Sequence, residues 1–227
     1  YNLFPLTIYK SKINIDDSEK KNLQNEILFM EKNSKNLQYK SNDKAWTGDT
    51  QGYENLHHNQ KFDSLFSEIK KHIQNYLEKL QINIEQIDIY YQRAWATISR
   101  GPESIAPHIH AQSHISFAYY LKKTTSESKI IFLDQSKNNE IIPGLFSSKS
   151  VNKKNIIKKR DELNSPIISF DVEEGDLVIF PSKTLHSTQK NMKNDLRISL
   201  SADVSILAKN SENLEHLIPA LKDWKKF

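Results

Sequence analysis

From about residue 86 onward the chain consists of short strand-like segments separated by turn-forming residues, and this series limits the possible folds most. Each segment is rich in β-branched and aromatic residues; the segments are residues 87–98, 115–121, 129–133, 167–172, 176–180 and 196–204. Short β-rich segments broken by Gly, Pro, Asn and Ser predict a sandwich or a barrel. We therefore expect a β core over about residues 86–206.

The N-terminal part of the chain has a helical pattern instead. Apolar residues recur at three- and four-residue spacing over residues 62–80, which is typical of an amphipathic helix. Residues 16–31 are acidic and favour a second helix, while residues 3–9 alternate as an edge strand would. We expect a helical cover over about residues 10–85, which gives a mainly β chain of the α+β class.

A length of 227 residues suits one domain, residues 1–227, because barrels and sandwiches of this size commonly form a single core. Within it, residues 134–165 form a connection that is long for a β core. Connections of this length are usually functional lids or disordered. The segment holds seven basic and four acidic residues, which mildly favours an anionic or peptidic substrate. We also expect a short helix at residues 211–218.

Composition argues against several functional classes. The chain has no cysteine, so any metal must be bound by His, Asp or Glu. The net charge of +4 is mild, and the densest basic run, residues 153–160, lacks the interleaved aromatic residues of a single-strand nucleic-acid binder. No stretch approaches the roughly 18 apolar residues of a membrane span, and no signal peptide is visible. We expect a cytoplasmic protein that binds neither nucleic acid nor membrane.

Two histidines one residue apart, His108 and His110, lie in a segment that we predict to be a strand. Side chains at positions i and i+2 of a strand share a face, so both imidazoles can bind one ion. A third histidine, His186, closes the segment that begins at Gly175 and can complete a facial set of three ligands. His114 is a rival to His110, and the spacing alone does not choose between them.

Arg197 follows His186 by 11 positions and has apolar neighbours on its predicted strand. A guanidinium group binds a carboxylate through two charge-assisted hydrogen bonds and holds it in a fixed orientation. The histidines and the arginine together therefore predict a metal centre that takes an organic acid as co-substrate.

These motifs resemble those of the 2-oxoglutarate- and iron(II)-dependent dioxygenases. The likeness is to the branch in which His-x-His precedes a Ser-x-x-Tyr-Tyr-Leu strand and a Gly-Asp-Leu-x-x-Phe-Pro-Ser-x-x-x-His segment, and it covers about residues 90–204. It implies a double-stranded β-helix, or jelly roll. It also implies Fe(II) bound by His108, His110 and His186, and 2-oxoglutarate bound by Arg197, Ser199 and Tyr120.

The resemblance implies hydroxylation of an unidentified small molecule or peptide, with release of succinate and CO2. One departure is that His-x-His stands where the superfamily usually has His-x-Asp or His-x-Glu. Two alternatives remain open. The first is a cupin-type protein that binds a metal without 2-oxoglutarate, and the second is a non-catalytic jelly-roll interaction protein.

Overall fold

A computed structural model of the chain describes residues 1, 3–34, 44–124, 129–190 and 195–227. The helices in these ranges are α1 (Asp17–Lys32), α2 (Asp63–Lys79) and α3 (Lys149–Lys153). The strands are β1 (Tyr9–Lys12), β2 (Trp46–Thr47), β3 (Ile87–Arg100), β4 (Ile115–Lys122), β5 (Ile130–Leu133), β6 (Ile167–Phe170), β7 (Asp176–Pro181), β8 (His186–Thr188) and β9 (Leu196–Ala208).

The strands form two antiparallel sheets. The larger sheet has the order β1-β7-β4-β9-β3-β2 and the smaller one has the order β6-β5-β8. The prediction of a mainly β chain is therefore confirmed, and two such sheets are the architecture expected of a jelly roll. None of the helices in the described ranges is long and apolar enough to cross a membrane.

Strand β9 shows how the sequence separates the two faces of the larger sheet. Its even-numbered positions are apolar and buried, namely Ile198, Leu200, Ala202 and Val204. Between residues 197 and 204 its odd-numbered positions are polar, namely Arg197, Ser199, Ser201 and Asp203. Because successive side chains of a strand point to opposite faces, β9 has one apolar face and one polar face.

The apolar face of the larger sheet packs against the N-terminal helices. Leu23 and Ile27 of α1, and Ile69 and Ile73 of α2, are buried in the same apolar cluster as the even-numbered residues of β9. Helix α1 begins after Asp16, whose carboxylate accepts a hydrogen bond of 2.8 Å from the backbone N–H of Glu19.

The polar face of the larger sheet lies towards the smaller sheet. Tyr120 of β4 pairs with Ser199 of β9, and directly opposed residues share a face. Tyr120 also packs in a second apolar cluster with Ile130 and Phe132 of β5 and with Phe180 of β7. The polar residues of β9 are therefore on the inner side of the jelly roll.

Two predictions about the chain ends are wrong. The first strand is Tyr9–Lys12 rather than residues 3–9; Phe4 has a φ of 60°, and Pro5 has no N–H to donate to a sheet. Residues 211–218 contain no helix, because Asn213 has a φ of 60° and Ile218 instead pairs with Leu207.

The segments that carry the histidines also differ from the prediction. β7 ends at Pro181, a turn closed by a 2.9 Å hydrogen bond from Thr184 N–H to the Pro181 carbonyl follows, and His186 begins the separate strand β8. His108 and His110 lie outside the strands, although His108 forms an isolated antiparallel bridge with His186. The loop 134–165 contains only α3 as regular structure, and its ends meet where Asp134 N–H donates to the Pro166 carbonyl at 2.9 Å.

Candidate metal centre

Backbone hydrogen bonds join the His108–His110 segment to the chain around His186. The N–H of His108 donates to the carbonyl of His186 at 3.0 Å, and the N–H of His186 donates back at 3.1 Å. The N–H of His110 donates to the carbonyl of Ser182 at 3.0 Å. The ladder therefore fixes the backbone of both histidine-bearing segments relative to one another, although they are far apart in the sequence.

The three imidazoles form one compact group. The ring centroid of His186 lies 4.3 Å from that of His108 and 5.3 Å from that of His110, and the last two are 4.9 Å apart. One ring nitrogen from each histidine lies within 4.8 Å of the others. No other group of three or more potential ligands is found in the part of the chain that the structure describes.

Aromatic side chains enclose the group on its inner side. The ring of Phe180 packs edge-on to His186 with centroids 4.6 Å apart, and Trp95 lies 5.7 Å from His110. His186 is only 8% exposed, whereas His108 is partly exposed. The site therefore has an aromatic inner wall and opens on the side of His108.

Each imidazole uses its Nδ1 atom for a hydrogen bond within the protein. His108 Nδ1 lies 2.9 Å from the carbonyl of Ala106, His186 Nδ1 lies 2.8 Å from the carbonyl of Thr184, and His110 Nδ1 lies 2.9 Å from the carboxylate of Asp203. Because these partners only accept, each Nδ1 carries the proton, and a neutral ring keeps a lone pair on Nε2. Three such lone pairs fit a divalent metal ion.

Burial keeps the rings of His186 and His108 neutral. Removal from water lowers the pKa of His186 to about 3, against an opposing effect of its hydrogen bond to Thr184 and a smaller lowering by the other two histidines. The pKa of His108 is also lowered, mainly by burial. Metal binding requires unprotonated imidazole, so both rings are in the required form at neutral pH.

His114 lies outside this group. Its side chain is exposed, and its Nδ1 atom accepts a 2.9 Å hydrogen bond from the backbone N–H of Ile206. The structure thus brings together His108, His110 and His186 and places the rival ligand elsewhere.

Arg197 is buried and contacts Thr188 on the strand that begins at His186. It is 4% exposed, and its Nη2 atom donates a 3.1 Å hydrogen bond to the hydroxyl of Thr188. Thr188 is two residues beyond His186 on β8, so the two side chains share a face of that strand. Ser199 follows Arg197 on the polar face of β9, and Tyr120 opposes Ser199.

Burial shifts the ionisation of the groups around Arg197. It raises the pKa of Tyr120 to about 12, although the charge of Arg197 acts in the opposite direction. The hydroxyl of Tyr120 therefore remains protonated and able to donate. Burial lowers the pKa of Lys123, and the positive charge of Arg197 lowers it further. Two cationic groups in one partly desolvated region favour the binding of an anion.

Two residues of the site are missing from the sequence prediction, Thr188 and Asp203. Asp203 is fully buried at the far end of the polar face of β9. A signal for it exists, since Asp203 falls on the same odd-numbered register as Arg197 in a strand whose even-numbered residues are apolar. A fully buried aspartate is rare unless it is paired.

Comparisons with solved structures agree with this fold. The solved structure of the α-ketoglutarate-dependent epimerase SnoN from nogalamycin biosynthesis is 12% identical, with 92% of this chain and 83% of that chain covered and a TM-score of 0.56. HygX from Streptomyces hygroscopicus, solved with nickel and 2-oxoglutarate, is 9% identical over 88% and 83% of the two chains, with a TM-score of 0.52. A Pseudomonas putida prolyl-4-hydroxylase is 11% identical over 87% and 92%, with a TM-score of 0.51. At these identities the likeness shows a shared fold.

The fold and the histidine group define a jelly-roll protein with a candidate metal centre. Residues 93–203 match the sequence model of the family described as "Putative 2OG-Fe(II) oxygenase", and this segment carries the three histidines and Arg197. This match and the fold support a function as an oxygenase that uses Fe(II) and 2-oxoglutarate. No curated protein matches the chain.

Proposed function

We propose that the protein hydroxylates a small-molecule or peptide substrate, with His108, His110 and His186 as the ligands of Fe(II). The observation that carries this assignment is that all three Nδ1 atoms donate hydrogen bonds within the protein, which leaves the three Nε2 lone pairs for one cation. Three ligands on one side of an ion leave positions for a co-substrate and dioxygen.

We further propose that Arg197 binds the distal carboxylate of 2-oxoglutarate. Its guanidinium is buried and is oriented by the hydroxyl of Thr188, two residues beyond His186. Ser199 and Tyr120 share the same inner face of the sheet, and their hydroxyl groups would donate to that carboxylate. An acid of the right length would thus reach from Arg197 towards the histidines.

The protein groups would bind and orient the iron, 2-oxoglutarate and the substrate. The bound iron would supply the oxidation that couples loss of CO2 from 2-oxoglutarate to oxygenation of the substrate. Phe180 and Trp95 exclude water from the inner side of the histidines. Exclusion of water limits side reactions of a reactive centre. Substrate would enter on the side of His108, which is the least buried of the three rings.

Hydroxylation is the outcome that we favour over other oxidations. The prolyl-4-hydroxylase shares the fold, but so does SnoN, which is described as an epimerase. Fold alone does not fix the reaction.

We also propose that the chain is one domain, that residues 134–165 act as a lid, and that the protein is cytoplasmic. The lid begins directly after Leu133, the last residue of β5. The N–H of Leu133 donates to the carbonyl of Leu185, which is next to His186.

The test is anaerobic addition of 2-oxoglutarate to the Fe(II)-loaded protein. A weak charge-transfer band in the visible spectrum is expected, followed in air by succinate release that increases with the correct member of a substrate panel. Bound metal without a band would favour the cupin-type alternative. No stoichiometric metal after reconstitution would favour a non-catalytic interaction protein, and either result would overturn the assignment.

A further inference from the structure

The carboxylate of Asp203 is fully buried and yet accepts hydrogen bonds from four side chains. Its Oδ2 atom accepts from Arg93, at 3.0 Å from Nε and 2.6 Å from Nη2, and from Gln112 Nε2 at 2.8 Å. Its Oδ1 atom lies 2.9 Å from His110 Nδ1 and 3.3 Å from the hydroxyl of Ser113. The two oxygens therefore have different partners, and Oδ1 is the one that accepts from His110.

The hydrogen bond of His110 differs from those of the other two histidines. His108 and His186 each use a backbone carbonyl two residues earlier in the chain, on Ala106 and Thr184. His110 instead uses a carboxylate from β9, which is 93 positions later in the sequence. A charged acceptor makes a stronger hydrogen bond than a neutral carbonyl does. It also increases the basicity of an imidazole that binds a metal.

Arg93 is the cationic partner of Asp203 and donates to its carboxylate through both Nε and Nη2. Arg93 is itself fixed by stacking, since its guanidinium carbon lies 5.3 Å from the centre of the Trp95 ring, and Trp95 also packs against His110.

We propose that Asp203 is a positioning residue for the metal, which holds His110 in the Nδ1–H form and directs its Nε2 lone pair at the ion. This inference rests on the metal ligands proposed above. It also accounts for the His-x-His motif: the carboxylate that the superfamily usually places on the metal is here placed behind a ligand, where it acts through His110. Asp203 and Ser201 share a face with Arg197, so one strand supports both the metal and the co-substrate.

The experiment compares Asp203→Asn with wild type by Co(II) titration against a competing chelator, without turnover. The variant is expected to bind Co(II) about 10- to 100-fold more weakly, the usual effect of removing such an outer partner. Glu31→Gln is the matched control, because Glu31 is a buried carboxylate that pairs with Arg100 away from the histidines. Its affinity is expected to equal that of wild type.

A second measurement separates positioning from general destabilisation. In the metal-free protein, nitrogen NMR of His110 is expected to show the Nδ1–H tautomer in wild type and a mixture of tautomers in Asp203→Asn. If Asp203→Asn does not fold, Arg93→Gln replaces it. That variant keeps the carboxylate and removes its countercharge, so it is expected to bind Co(II) more tightly, on the order of 3-fold.

Several results would contradict the proposed role of Asp203. Equal Co(II) affinity of Asp203→Asn and wild type, or an unchanged His110 tautomer, would overturn the role of Asp203 alone. Unchanged or weaker Co(II) binding by Arg93→Gln would do the same. Wild-type protein that takes up no Co(II) would overturn the metal site itself, and the role of Asp203 with it.

Discussion

Removing the guanidinium of Arg197 should weaken 2-oxoglutarate binding without removing the metal. The side chain is 4% exposed, so a carboxylate that binds there exchanges water for a desolvated cation. Truncating one partner of such a buried charge pair costs roughly 2–5 kcal/mol. At about 1.4 kcal/mol for each factor of ten, Arg197→Ala should raise the dissociation constant at least about 30-fold.

Two further variants give the effect a graded scale. Arg197→Lys should recover only part of the affinity, because an ammonium group supplies a point charge without the planar pair of donors. Thr188→Val removes the hydroxyl that accepts from Arg197 Nη2 at 3.1 Å but leaves the charge in place. Loss of one hydrogen bond costs roughly 0.5–1.5 kcal/mol, so its effect should be about 2- to 12-fold.

The assay is anaerobic titration of the Fe(II)-loaded proteins with 2-oxoglutarate, followed by the charge-transfer band, and by the apparent KM from succinate release once a substrate is known. Bound iron is measured in each sample, and thermal unfolding shows whether each variant is folded. If folded, iron-loaded Arg197→Ala binds 2-oxoglutarate within a factor of two of wild type, Arg197 does not hold the co-substrate.

Two other predictions address the metal and the pH dependence of stability. His186→Ala should lose stoichiometric Fe(II) while His114→Ala keeps it, as measured by metal analysis after reconstitution; iron retained by the first or lost by the second would contradict the ligand set. The ionised carboxylate of Asp176 should stabilise the folded state. Burial raises its pKa, but the hydrogen bonds from Lys10 and from the Glu173 N–H, with nearby lysine charge, lower it overall. A depressed carboxyl pKa stabilises the fold above the unfolded value of 3.8, and this contribution is lost as the pH falls through the folded value. In urea unfolding, Asp176→Asn should therefore be less stable than wild type by a constant amount from pH 8 to 5, roughly 1–3 kcal/mol, and the difference should shrink below pH 4; a difference that grows there would contradict this reasoning.

Local sequence pattern was sufficient for the elements that bury an apolar face. The helix at residues 62–80 and the strands around residues 87–98 and 115–121 lie within a few residues of α2, β3 and β4. Pattern failed where a left-handed residue or a pairing partner decides the outcome. Phe4 and Asn213 have a φ of 60°, which no apolar periodicity reveals. The place of β1 depends on its pairing with β7, more than 160 positions away.

Some residues of the candidate site could likewise be predicted from the sequence, and others could not. The histidines and Arg197 could be selected from the sequence because their chemical types and spacing are unusual. Thr188 and Asp203 could not be selected so directly, because their roles arise from contacts with Arg197 and His110 that exist only after the sheets have formed. The sequence likewise cannot choose between His110 and His114, because that choice depends on how the 107–114 segment pairs with Ser182.

The register of β9 is specified both by the core and by the site. A slip of one residue would turn Ile198 and Leu200 towards the histidines, and it would turn Arg197 and Asp203 into the apolar cluster beneath the helices. Burying two charged groups among apolar side chains without their partners is strongly unfavourable. The polar residues that serve the site therefore also help to select the register that places them there, because a register shifted by one residue opposes both the hydrophobic core and the solvation of charge.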